Sequence, residues 1–329
     1  MAKDYFIIEC EAHPLPVPDC VMDITYFRDF GRWYQTLDGC QRGTTGGVLA
    51  MGEAPPPGKP ATQPEALIWD MDETGTDVSV VIPENFYNTN MDSKPWMTNG
   101  LAMQFVEKYP DRLIICPNFT PSRRDMKAVL WEMEYFVKEK GCKCFKLYPP
   151  EERCAINDER MWPFYEKAQE LGMVMQVHTG MGYVYRATTN NCLPLQLEDV
   201  CTEFFDLKIV AFHFGWPWHH QLNVLAGAFP NLYISVSWVN RTIYFKPRFF
   251  AKLLGEAIQF ATTDKIIWGC DGYPDGKAIE AFKEFQFSQD LQEGYGFKPL
   301  TEEDKAKIFG LNLARLLDIE PKKMAKAHK

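Results

Sequence analysis

The chain has 329 residues, of which 46% are apolar and 14% aromatic, and its formal net charge is −9. That length and apolar content suffice for one large core or two smaller ones, and the acidic balance argues against nucleic acid or an anionic membrane as the main partner. No run approaches the roughly 20 apolar residues of a membrane span, the opening MAKDYFIIECEAHP lacks a signal-peptide pattern, and the ten cysteines form no CxxC pair, so they read as reduced thiols of a cytoplasmic protein.

Short apolar runs alternate with helical patterns along the chain, the rhythm of parallel strands joined by helices. The first strand is expected at residues 5–10 (YFIIEC). Residues 14–64 then break the rhythm. They are rich in Gly and Pro, include Pro55-Pro56-Pro57, and read as a lid or oligomer contact inserted after strand 1. Strands follow at 78–82 and 113–117, separated by a helix at 98–109 that stops before Pro110. A helix at 124–140 ends at Gly141, a typical stop signal, and leads to a strand at 144–147. A helix at 158–171 runs to Gly172 and a strand at 174–177. Further strands are expected at 208–212, 232–236 and 265–268, with a helix at 247–260 before the last. A closing helix at 301–317 opens on Thr301-Glu302-Glu303-Asp304, close to a capping box, and the basic tail 321–329 is expected to fray. Eight strands are what a closed barrel needs. The chain therefore reads as one domain, 1–329, an α/β (β/α)8 TIM barrel with a long insertion after strand 1.

The C-terminal strand ends of such a barrel form its active face. His13, His178, His213 and Asp271 each fall just past an expected strand, the first, fifth, sixth and eighth. In the first strand Glu9, Glu11 and His13 stand at spacing two, which places them on one face. Two carboxylates and an imidazole buried together need a counter-charge. A single divalent cation supplies it, with Glu11, His13, His178 and Asp271 as ligands and Glu9 in a supporting role behind them. Imidazole and carboxylate together suit Mn²⁺, Zn²⁺ or Fe²⁺. His213 fits an acid or base that titrates near neutrality. Lys146 on the fourth strand, Arg42 in the insertion and Arg186 after the fifth strand are candidates for holding a substrate carboxylate. Tyr183 and Trp216 are candidates for walling a ring.

These segments resemble the second amidohydrolase family, in the branch of aminocarboxymuconate-semialdehyde decarboxylase and gamma-resorcylate decarboxylase. The resemblance is carried by Glu9-Cys10-Glu11-Ala12-His13, by Val177-His178-Thr179-Gly180, and by His213-Phe214-Gly215-Trp216-Pro217-Trp218. Phe145-Lys146-Leu147-Tyr148-Pro149 and Gly269-Cys270-Asp271-Gly272-Tyr273-Pro274 complete the set, in the family's order. Glu11 stands where the more familiar pattern has a histidine, which favours a harder cation such as Mn²⁺. Trp216 stands where the resorcylate-type pattern has a glutamate.

The resemblance implies a non-oxidative decarboxylase of an aromatic or unsaturated cyclic acid, with Asp271 or His213 protonating the ring carbon. The alternative it implies is a hydrolase of a C–C, lactone or amide bond, or a hydratase, with the same ligands. A barrel that has lost its chemistry is the reading outside enzymes, to be recognised by the absence of bound metal. The implied assembly is a homodimer or higher homo-oligomer acting on a small-molecule carboxylate.

Overall fold

The computed structural model describes residues 4–14, 57–60, 62–84, 97–182, 187–324 and 326. Most of the expected insertion, 15–56 and 61, lies outside them.

Eight parallel strands follow one another: β1 (Ile8–Ala12), β2 (Val78–Val81), β3 (Leu113–Ile115), β4 (Cys144–Leu147), β5 (Val174–Val177), β6 (Lys208–Ala211), β7 (Leu232–Ser235) and β8 (Ile266–Ile267). β1 to β3 pair in order as one sheet and β4 to β8 as another. Parallel bridges cross both seams. Asn118 pairs with Lys146 and Ala12 with Gly272, so the eight strands run round a TIM barrel in sequence order. At the second seam His13 N donates to Gly272 O (2.9 Å) and Gly272 N to Glu11 O (2.8 Å).

Alternating side chains divide into two sets, as the period of a strand requires. Ile8, Val80, Cys116, Val174, Val210 and Ile267 pack together inside the barrel. Leu113, Leu147, Val177, Ala211 and Ile234 pack outward against the helices. Leu313, Ala314 and Leu317 of the last helix, Asn312–Leu317, join the inner set and plug the end where the strands begin. The opposite end is left for chemistry.

The helices form where their ends are satisfied. Asp125 accepts from Ala128 N at the start of Met126–Lys140, which ends on Gly141 at φ 65°, a conformation glycine adopts cheaply. Thr301 and Asp304 complete the capping box. The helix expected over 301–317 is in fact three pieces, with a π-helical turn at Lys307–Leu311. That turn brings Gly310 so close to the N-terminal strand that a Cβ there would lie 2.5 Å from Phe6 O, and it places Ile308 O 3.0 Å from Trp268 N. The eight cysteines among the described residues are buried free thiols, and no described helix is long and apolar enough to cross a membrane.

Candidate active site

β1 departs from regular alternation. Between Glu9 and Ala12 it carries one residue more than β2 opposite, a bulge that turns the chain. Ile8 and Cys10 lie in the inner set and Ala12 in the outer one. Glu9, Glu11 and His13 therefore do not share one face, as their spacing predicts. Glu11 reaches the barrel interior, where Lys146 Nζ stands 2.6 Å from its Oε1. Glu9 lies along the β1–β8 seam, its Oε1 accepting from Cys270 N (2.7 Å) and from Glu11 N (3.0 Å). It thereby holds the backbone that presents Glu11.

Glu11, His13 and Asp271 converge, with one donor atom of each within 4.8 Å of the others. His13 Nε2 is 3.4 Å from Asp271 Oδ1 and 3.7 Å from Glu11 Oε1, while its Nδ1 lies 3.1 Å from Ile82 O. A carbonyl only accepts, so Nδ1 carries the proton and Nε2 faces the carboxylates. Asp271 holds its place at φ 62°, and Arg241 Nη2 donates to its backbone oxygen at 3.1 Å. A left-handed backbone at a non-glycine residue is costly and tends to mark function. His213, at φ 61°, carries the same mark.

Glu84, just past β2, is a member of the site that the sequence reading omits. Its Oε1 lies 3.9 Å from His13 Nε2. The signal was available, since Ile82-Pro83-Glu84 places an acid past a strand end just as His13 and Asp271 are placed. Burial drives the Glu84 carboxyl up to about 7, with the charges of Asp271 and Glu11 adding to the rise against His13. Burial would push the His13 imidazole down, but Glu84, Asp271 and Glu11 hold it well above its usual value. Burial would likewise raise Glu11, yet the Lys146 ammonium and the neighbouring imidazoles keep it well below the carboxylate range.

Lys146 is wholly buried, with its ammonium 3.2 Å from the centre of the Phe212 ring. His178 lies beside the trio rather than within it. Its Nε2 is 3.0 Å from Met181 O and its Nδ1 3.1 Å from His213 Nε2. With Nε2 of His178 donating to that carbonyl, His213 Nε2 donates in turn, while His213 Nδ1 lies 3.1 Å from Ser237 Oγ and 3.3 Å from Ser237 O. His213 Nδ1 is also 3.9 Å from Glu11 Oε2. Burial lowers both imidazoles, and their mutual proximity lowers His178 further. Trp216 is partly buried and its ring centre is 5.8 Å from that of Trp238. Of the expected substrate contacts, Arg42, Tyr183 and Arg186 lie outside the described residues.

The donor set fits a divalent cation. Glu11 Oε2 and Glu84 Oε2 are buried without a hydrogen-bond partner among the described residues. Three carboxylates, from Glu11, Glu84 and Asp271, meet beside Lys146 and His13, and a cation would take up the carboxylate oxygens that have no hydrogen-bond partner. Oxygen-rich ligands with one imidazole suit Mn²⁺ or Zn²⁺.

The amidohydrolase family model matches residues 8–319. No curated protein matches the chain in sequence. An uncharacterised TIM-barrel protein from Bordetella bronchiseptica superposes with a TM-score of 0.67 at 18% identity, covering 95% of this chain and 98% of its own. A dihydroxybenzoic acid decarboxylase from a Polaromonas species, with bound manganese and the inhibitor 2-nitroresorcinol, gives 0.61 at 16% identity over 95% and 97%. A probable 2-pyrone-4,6-dicarboxylic acid hydrolase from Acinetobacter baumannii, with citric acid bound, gives 0.59 at 16% identity over 95% and 99%.

Proposed function

Because the chain belongs to the amidohydrolase family, we propose that it is a metal-dependent decarboxylase of an aromatic or unsaturated cyclic carboxylic acid. The observation that carries this reading is the convergence of Glu11, His13 and Asp271 at the mouth of the barrel. The decarboxylase with bound manganese among its structural neighbours supports it. Glu11, His13 and Asp271 would hold the cation, with Mn²⁺ preferred for the carboxylate-rich set; His178 would become the fourth ligand by giving up its hydrogen bond with Met181 O or with His213. When bound, the cation supplies Lewis-acid polarisation and a template for the substrate carboxylate and an adjacent oxygen.

The protein's own groups do the rest. Asp271 delivers a proton to the ring carbon that bears the carboxylate. The bond from that carbon to the carboxylate then breaks, its electron pair returns to the ring, and CO₂ leaves. Asp271 is left as a carboxylate and regains its proton from water. His213, in hydrogen-bond contact with His178 and Ser237, is the second group able to move that proton. Lys146 keeps Glu11 ionised, so that Glu11 binds a cation rather than a proton. Trp216 and Trp238 flank the region as an aromatic wall, and Arg42, Tyr183 and Arg186 are proposed to hold the substrate's carboxylate and ring.

A hydrolase is the second reading, favoured by the probable pyrone hydrolase among the structural neighbours. There Asp271 would take a proton from water instead of giving one to carbon. The test is CO₂ release from a panel of hydroxybenzoates by Mn²⁺-loaded protein, beside ¹⁸O incorporation from labelled water into lactone and amide products. CO₂ release is expected, and its absence with Mn²⁺, Zn²⁺ and Fe²⁺ alike would overturn the lead reading. Asp271→Asn is expected to lower turnover by about 10³-fold with an unchanged circular dichroism spectrum.

A further inference from the structure

His219 and His220 open the helix His219–Ala228, directly after Trp216-Pro217-Trp218, and Glu256 lies in the neighbouring helix Pro247–Ala261. One donor atom from each of the three lies within 4.8 Å of the others. His219 Nε2 is 3.5 Å from Glu256 Oε2, and His220 Nδ1 is 3.8 Å from the same oxygen.

The protons decide what this arrangement is. His219 Nδ1 lies 3.2 Å from Pro217 O. That oxygen only accepts, so Nδ1 carries the hydrogen and a neutral ring presents the lone pair of Nε2. Facing it, Glu256 Oε2 is buried and has no hydrogen-bond partner among the described residues. Two lone-pair atoms thus oppose each other with no hydrogen between them. A cation between them removes the conflict, and an imidazole that donates its other nitrogen to a backbone carbonyl is the usual preparation of a metal ligand. The spacing agrees: ligand atoms about 2.1 Å from a tetrahedral zinc ion stand roughly 3.4 Å apart. Lys252 Nζ approaches the other oxygen, Glu256 Oε1, at 3.7 Å, leaving Oε2 to the histidines. The His220 side chain is 71% exposed, which gives an ion a path in and water the fourth position.

We propose that His219, His220 and Glu256 form a second metal site, separate from the barrel mouth, that takes Zn²⁺ or a similar divalent transition ion. An ion there ties the start of helix His219–Ala228 to helix Pro247–Ala261. It thereby fixes the segment 214–218 that connects His213 to that helix.

The test is zinc content after chelation, reconstitution and dialysis, with Tm recorded for the chelated and zinc-loaded full-length protein. Glu256→Gln is expected to lose a zinc equivalent that the wild type binds, while keeping the equivalent that Asp271→Asn loses. It should also remain as stable as wild type without metal, because an amide can donate to His219 Nε2. His220→Ala, at an exposed position, is expected to weaken zinc at this site by roughly tenfold or more. Unchanged zinc content in Glu256→Gln would overturn the proposal, as would uptake only at millimolar zinc. So would a chelated Glu256→Gln of lower Tm than wild type, the mark of an imidazolium–carboxylate pair. If Glu256→Gln loses a zinc equivalent while Asp271→Asn loses none, the barrel-mouth reading alone fails.

Discussion

Lys146 has no exposed surface and stands 2.6 Å from Glu11 Oε1. Its presence on the fourth strand and that of His13, His178, His213 and Asp271 at strand ends were legible in the sequence, because each interrupts or ends an apolar run. The geometry between them was not. No spacing rule shows that Lys146 neutralises Glu11, or that His178 meets His213 before it meets the trio. Glu84 escaped because a single acid after a proline has no partner within its own segment. Glu151 is a further buried acid near this region, with Oε2 lacking a hydrogen-bond partner among the described residues. Burial first, and then the charges of Glu84 and Glu152, raise its carboxyl from 4.5 to about 8. A folded-state value above the unfolded one means stability present below pH 4.5 and progressively lost as pH rises toward about 8. Glu151→Gln is therefore expected to match wild type near pH 5 and to exceed it by about 2 °C or more in Tm near pH 9. A difference that stays flat across that range would refute the assignment.

At the scale of elements, β4 and β5 were legible to the residue and the other strands to within a few, because short β-branched or apolar runs bounded by turns leave little choice. The bulge in β1 was not, since the residues on either side of it still read as a period of two. The helices Glu65–Thr74, Leu197–Glu203 and Gly276–Glu284 were missed because their helical pattern is short or lies beside Gly and Pro. Close approach of two loops sets a further requirement. A Cβ at Gly180, whose φ is 93°, would lie 2.3 Å from Trp216 O. Gly180→Ala is therefore expected to cost about 3 kcal/mol and to reduce turnover, because it separates the segments that follow His178 and His213. At Gly141, φ is 65° but a Cβ would meet nothing within 4 Å, so Gly141→Ala should cost only about 1 kcal/mol. Urea unfolding of both variants checks the contrast; equal losses would remove the steric explanation.

Across the whole molecule, chain order and strand number implied the barrel, while its two seams had to be seen. Neither is a long ladder. Each rests on a bridge just beyond a strand end, Asn118 to Lys146 and Ala12 to Gly272. The floor depends on the last helix, whose Leu313, Ala314 and Leu317 meet Ile8, Val78 and Val174. Each buried leucine there contributes about 2 kcal/mol. A chain ending at residue 300 is expected to lose near-UV circular dichroism and to bind a hydrophobic dye, and a native-like spectrum from it would contradict this role.

The extra residue in β1 divides that strand between two tasks. Ile8 and Cys10, before the turn, answer to packing; Glu11 and His13, after it, answer to chemistry. A neutral side chain at position 11 would leave the Lys146 ammonium buried without its carboxylate. The donor end of the strand is thereby tied to the fourth strand by charge, as the apolar end is tied to the core by packing.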